Sequence, residues 1–153
     1  MKPHPFPLSL NIGTDIVHLP RIARLVSRPN GYLTRFTRRI LSDQEQADFR
    51  KRFNLPPGED VPLESRFAGP TSSLSTEMAR WLAGRFAAKE AARKAAPGGA
   101  ASVGWKDVIM RRERGSGRPG IVYLDANGGP GRMGKLSISH DGEYVVATVL
   151  AAG

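Results

Sequence analysis

Ser75 to Ala95 is a run of 21 residues without proline, and seven of them are alanine. Leu, Lys, Arg and Glu fill most other positions, so the run predicts a long helix. At 1.5 Å per residue it would span about 30 Å, the width of a small domain. The rest of a short chain must therefore pack along it. Ser75 or Thr76 can cap its start, with Glu77 in the first turn, where the helix dipole favours an acid. Pro97-Gly98-Gly99 stops it. The segment beyond is β-rich, with strand candidates at Trp105–Met110, Ile121–Leu124, Leu136–Ile138 and Tyr144–Leu150. Glycine-rich turns separate them.

The segment before the long helix is mixed. Residues 8–17 predict a strand broken or bent at Gly13, with Asp15 near its end. Residues 18–28 predict a short helix, with Pro20 tolerable only in its first turn. Tyr32, Phe36 and Ile40 continue with helical spacing. Ser42 and Glu45 fit a capping box that opens a helix to about Phe53. From Asn54 to Ser73 the chain turns to Pro, Gly, Ser, Thr and acids, which predicts a surface-loop insertion (residues 54–73). With 153 residues, a single domain spanning 1–153 is expected.

Lys and Arg exceed Asp and Glu by 23 to 14, a net charge of +9. That balance implies an anionic partner. The absence of cysteine excludes a disulfide scaffold, a thiolate metal site and a cysteine nucleophile. Three histidines make a His-rich zinc site improbable. No apolar run reaches the roughly 18 residues of a membrane span, so no membrane partner is expected. The alternating prolines of Met1 to Pro7 give no secretory h-region.

Three groups of residues could carry chemistry. On the long helix, Phe86, Glu90 and Arg93 share a face, joined by Lys94, while Arg85, Lys89 and Arg93 form an adjacent basic stripe. One reading is a solvated face with ordinary Glu–Lys support. The other is a carboxylate for a metal among cations for phosphate. That needs a second carboxylate, for which Asp15 is the best candidate; the alternative for Asp15 is a structural hydrogen bond or an exposed edge. Two carboxylates with phosphate oxygens suit Mg²⁺. His140 sits where a strand ends in a turn, placed either to bind phosphate or steer a proton, or simply as a structural residue. Between Ile16 and Ser42 there are six arginines and no acid. Such a one-sign surface is either solvated or docks an acidic protein.

These residues lie in stretches that resemble the short-chain 4′-phosphopantetheinyl transferases, the holo-acyl carrier protein synthase type. Ile12-Gly13-Thr14-Asp15-Ile16-Val17 is similar to the family's opening strand. Trp81 to Ala95, with Phe86-Ala87-Ala88-Lys89-Glu90-Ala91-Ala92-Arg93-Lys94, is similar to its signature helix, and Leu136-Ser137-Ile138-Ser139-His140-Asp141 to its closing Ser-His element. Arg35-Phe36 through Glu45, Trp105-Lys106-Asp107-Val108 and Gly117-Arg118-Pro119 resemble intervening segments. His18 stands where the family commonly has Glu, and receives no role.

The resemblance implies an α+β fold: a small antiparallel-rich sheet packed on one long helix, with shorter helices. It implies transfer of 4′-phosphopantetheine from coenzyme A to a serine of an apo-acyl carrier protein, releasing adenosine 3′,5′-bisphosphate. Asp15 and Glu90 would hold Mg²⁺. Lys94 and His140 would contact the diphosphate. Arg85 and Lys89 would hold the phosphoadenosine end or the diphosphate. Arg21, Arg24 and Arg28 would dock the acidic carrier protein, and a homotrimer would place the sites at subunit interfaces. An intracellular setting follows, with mitochondria favoured over cytoplasm by the arginine-rich, acid-poor first forty residues and the long loop. Two rivals stand beside this reading: a basic nucleic-acid-binding module, which leaves the Asp15 and Glu90 pair without a task, and a catalytically silent scaffold subunit.

Overall fold

A computed structural model describes residues 1–55 and 73–153. The insertion expected at 54–73 lies, apart from its ends, outside the described residues. The chain opens with strand β1 (Leu10–His18), then helices α1 (Leu19–Val26), α2 (Tyr32–Ile40) and α3 (Asp43–Arg52). The long helix α4 (Ser73–Ala95) follows, then strands β2 (Val108–Arg112), β3 (Pro119–Tyr123), β4 (Arg132–Asp141) and β5 (Tyr144–Ala152). The strands form one sheet in the order β1-β5-β4-β3-β2, with every neighbour antiparallel. The fold is thus α+β, with the long helix against the sheet.

Alanine is what lets α4 sit centrally. Ala83, Ala87, Ala88, Ala91, Ala92 and Ala95 are all fully buried. Small side chains round most of the helix allow β1 and β5 to approach on one side and α1 on another. The closest approach is at Gly13. It does not break β1, which pairs without interruption with β5 from Leu10 opposite Ala152 to His18 opposite Tyr144. Its role is clearance: a Cβ there would overlap the carbonyl oxygen of Ala91. The glycine signal read as a bend is a contact between strand and helix, one of the two meanings a strand glycine carries.

Other boundaries shift for identifiable reasons. Trp105–Asp107 is a 3₁₀ turn rather than the start of a strand, closed by the Asp107 side chain accepting from the Gly104 amide at 2.9 Å. Pro20 does fall in the first turn of α1. The Ser42 and Glu45 capping box is present, with the Glu45 amide donating to Ser42 Oγ at 3.2 Å and the Ser42 amide donating to Glu45 Oε2 at 2.9 Å.

The two faces of the sheet differ. Gly13, Asp15 and Val17 turn toward α4, and so do Val145, Ala147 and Val149 of β5. The opposite face presents Ile12 beside Leu150 and Ile16 beside Val146, and Ile12 and Ile16 are 69% and 60% exposed. No helix of the described residues is long and apolar enough to cross a membrane.

Candidate active site

The register of β1 decides where Asp15 goes. It lies two residues beyond Gly13, on the same face, so the close approach at Gly13 brings its carboxylate against the last turns of α4. There Lys94 Nζ donates to Asp15 Oδ1 and to the carbonyl of Thr14, each at 3.0 Å. The Asp15 side chain is 14% exposed and that of Lys94 is 43% exposed. The acid is nearly sealed while the ammonium remains open to a ligand. One turn earlier on α4 stands Glu90, on the same helix face as Lys94. Its Oε2 accepts from Arg93 Nη1 at 2.9 Å. Asp15 and Lys94 therefore meet where β1 crosses α4, with Glu90 one helical turn before Lys94. Each carboxylate is held through one oxygen by a cation of α4.

The chemistry of this donor set fits a hard divalent cation. Among the described residues no three His, Cys, Asp or Glu side chains converge. A cation held by Asp15 and Glu90 alone would keep positions for water and for phosphate oxygens, as Mg²⁺ prefers.

His140 is exposed at the end of β4 and takes part in no described hydrogen bond or ion pair. It faces the same side of the sheet as Asp15, but its row runs through Val145 to Val17, two residues further along. Two strand spacings and two residues put their Cα atoms about 12 Å apart. His18 instead meets Glu143 at 3.2 Å.

Lys89 departs from the expected phosphate contact, while Arg85 is half-buried. Lys89 has no exposed surface, and its ammonium donates to Glu45 Oε2 at 2.5 Å. Burial lowers its pKa, opposed by the charge of Glu45. Glu45 Oε1 also accepts from the Met110 amide at 3.2 Å. One carboxylate thus joins the start of α3, the middle of α4 and strand β2. Arg85 stacks on Trp81, its guanidinium carbon 3.3 Å from the ring centroid. Burial pulls its pKa down to about 10 despite the charges of Glu45 and Asp48. Its Nε is buried without a hydrogen-bond partner among the described residues. Lys89 is thus an internal ion pair joining α4 to α3 rather than an anion contact. The sequence carried one pointer to this: Glu45, an acid in a capping box, was available as its partner.

Arg21, Arg24, Arg28 and Arg39 surround an open groove of about 710 Å³ with Phe36, Phe86 and Trp105 in its lining. No acid lines it. The aromatic floor was not anticipated. Its members come from α2, α4 and the turn before β2, and only the fold collects them. Arg28 also lies 4.9 Å from the centroid of Tyr32.

The fold thus presents a carboxylate–ammonium contact between β1 and α4 and a cationic groove lined from α1, α2 and α4, a charge distribution suited to anionic groups. The sequence profile of the 4′-phosphopantetheinyl transferase superfamily matches residues 11–149. The chain belongs to that superfamily. It is 65% identical over 158 aligned positions, covering all of both chains, to the mitochondrial 4′-phosphopantetheinyl transferase B of Aspergillus fumigatus. It is 36% identical to the holo-[acyl-carrier-protein] synthase of Koribacter versatilis, covering 92% of this chain and 96% of that one. A crystal structure of the Bacillus anthracis holo-(acyl-carrier-protein) synthase, in complex with CoA (3′,5′-ADP), superimposes with a TM-score of 0.57 at 30% identity, covering 92% and 93% of the two chains.

Proposed function

We propose that this chain transfers 4′-phosphopantetheine from coenzyme A to a serine hydroxyl of an apo-acyl carrier protein, at the patch formed by Asp15, Glu90 and Lys94. The observation that carries the reading is the meeting of Asp15 and Lys94 across β1 and α4, with Glu90 one turn away. Membership of the superfamily and the coenzyme A complex of the Bacillus relative support it. The serine oxygen attacks the phosphorus that bears pantetheine. The bond to the adenosine 3′,5′-bisphosphate oxygen breaks, that oxygen keeps the electron pair, and the serine proton passes to water.

Asp15 and Glu90 would hold Mg²⁺, which, when bound, supplies positive charge to the diphosphate. Lys94, more exposed than Asp15, can leave that carboxylate for the anionic substrate. A cation aimed at the leaving phosphate stabilises charge that grows as the bond breaks. His140 is about 12 Å along the sheet from Asp15 by strand geometry, so its contact with the same diphosphate is best supplied by an adjoining copy. A homotrimer with sites at subunit interfaces accommodates this. The exposed Ile12, Ile16 and Leu150 on the outer sheet face supply an apolar surface for it. A mitochondrial location is favoured by the name of the Aspergillus relative and by the arginine-rich first helices.

The cationic groove fits an acidic carrier protein, with Arg21, Arg24 and Arg28 at its rim and aromatic rings on its floor. Exchanging Arg21 and Arg24 for Glu should raise the apparent KM for the carrier and leave that for coenzyme A nearly unchanged. The effect should shrink at high salt, where screening removes steering. Steady-state kinetics at two ionic strengths check this; unchanged carrier kinetics at low salt would show that the groove does not dock the carrier.

Release of the nucleotide tests the reaction itself. Chromatography of a mixture of enzyme, coenzyme A, Mg²⁺ and apo-carrier should show adenosine 3′,5′-bisphosphate. None should form without the carrier. A scaffold or nucleic-acid-binding module would release none in either case.

A further inference from the structure

The second cation of the patch has its own architecture. Arg93 and Glu90 are spaced i, i+3 on α4, a pairing that on an open helix surface contributes little. Here the guanidinium is fixed from three sides. Its Nε donates to the Val103 carbonyl at 2.7 Å and its Nη2 to the Ala100 carbonyl at 3.1 Å. Its carbon lies 4.7 Å from the centroid of Trp105, which in turn packs on Phe86 at 5.0 Å. The side chains of Arg93 and Glu90 are 19% and 23% exposed. The remaining donor, Nη1, points at Glu90 Oε2 at 2.9 Å. Glu90 Oε1 has no partner among the described residues. The chain after α4 thus locks a planar fork, and the fork takes one of the two oxygens of Glu90.

We propose that Arg93 is a positioning residue that makes Glu90 a one-oxygen ligand and so biases the site toward Mg²⁺ over Ca²⁺. The inference rests on the reading that Asp15 and Glu90 hold the cation. The chemistry is one of size. Mg²⁺ requires near-octahedral coordination by single oxygens, whereas Ca²⁺ readily takes both oxygens of one carboxylate. A guanidinium occupying Oε2 withholds the two-oxygen mode. It also repels any divalent cation, but equally for two ions of the same charge. The ratio of the two affinities therefore separates positioning from repulsion. Lysine at 93 keeps the charge and loses the fork, because an ammonium cannot hold two carbonyls and the carboxylate in the same planar geometry.

Calorimetric titration of Mg²⁺ and of Ca²⁺ into enzyme saturated with coenzyme A, without carrier protein, reads the ratio directly. Thermal unfolding of each variant serves as the control for folding. Arg93→Lys should shift the ratio toward Ca²⁺ by about tenfold, the lower end of what loss of a partner to a metal ligand costs. In a Glu90→Gln background the same substitution should produce no shift, because Arg93 then has no carboxylate to orient. If Glu90→Gln weakens cation binding but Arg93→Lys leaves the ratio unchanged, the positioning role of Arg93 is overturned and the metal site stands. If Glu90→Gln leaves cation binding unchanged, the metal site fails, and the role of Arg93 with it. Should Arg93→Lys not fold, Trp105→Phe keeps the fork and trims the ring it rests on. That variant should move the ratio in the same direction by a smaller factor, and an unmoved ratio would overturn the proposal.

Discussion

Glu45→Ala should destabilise the fold by about 3–5 kcal/mol, the cost of removing one partner from a buried ion pair. The substitution leaves the Lys89 ammonium sealed without a counter-charge and strips acceptors from the amides of Ser42 and Met110. Chemical denaturation measures the loss. Its pH dependence identifies the cause. Burial lowers the Lys89 pKa below that of an unfolded lysine. Between those two values the unfolded chain binds more protons than the folded one, so stability rises with pH. Removing Glu45 removes the charge that opposes the lowering, so the variant should regain stability on going from neutral pH toward the ordinary lysine value. A deficit that stays constant over that range would show that lost hydrogen bonds, not the stranded ammonium, are responsible. Pairing Glu45→Leu with Lys89→Met should recover part of the loss. Recovery should remain incomplete, because the two amides still lack an acceptor.

Asp15→Ala and Glu90→Ala should each lower kcat by about 100- to 1,000-fold, the scale of losing one preorganised group that stabilises developing charge. The two residues come from different elements, so neither substitution should unfold the protein. The double variant should be little worse than the poorer single one, because groups that act as a unit are not additive. Initial rates at saturating Mg²⁺ give the comparison. Near-normal turnover by either single variant would remove that carboxylate from the site.

Much of this could be read from the chain before its structure. The proline-free, alanine-rich run announced α4, and the Ser42 and Glu45 spacing announced the start of α3. Those signals are local, and local chemistry decides them. By resemblance Asp15 reads as a metal ligand and Lys94 as a diphosphate contact, and nothing local in the sequence pairs the two directly. Their pairing depends on Gly13 admitting the Ala91 carbonyl, a contact between residues 78 positions apart in the chain. Lys89 shows the limit most clearly. A cation at helical spacing has the same sequence signature whether it meets water or a buried acid. The carboxylate that settles the matter is on another helix. The groove floor was hidden for the same reason, because Phe36, Phe86 and Trp105 belong to separate elements.

The most direct measurement is the mass of an apo-acyl carrier protein after incubation with coenzyme A, Mg²⁺ and either the natural enzyme or its Glu90→Gln variant. The carrier should gain one phosphopantetheinyl group on its serine with the natural enzyme, and stay unmodified over the same time with the variant. An unmodified carrier in both reactions, or equally rapid modification in both, would contradict this expectation.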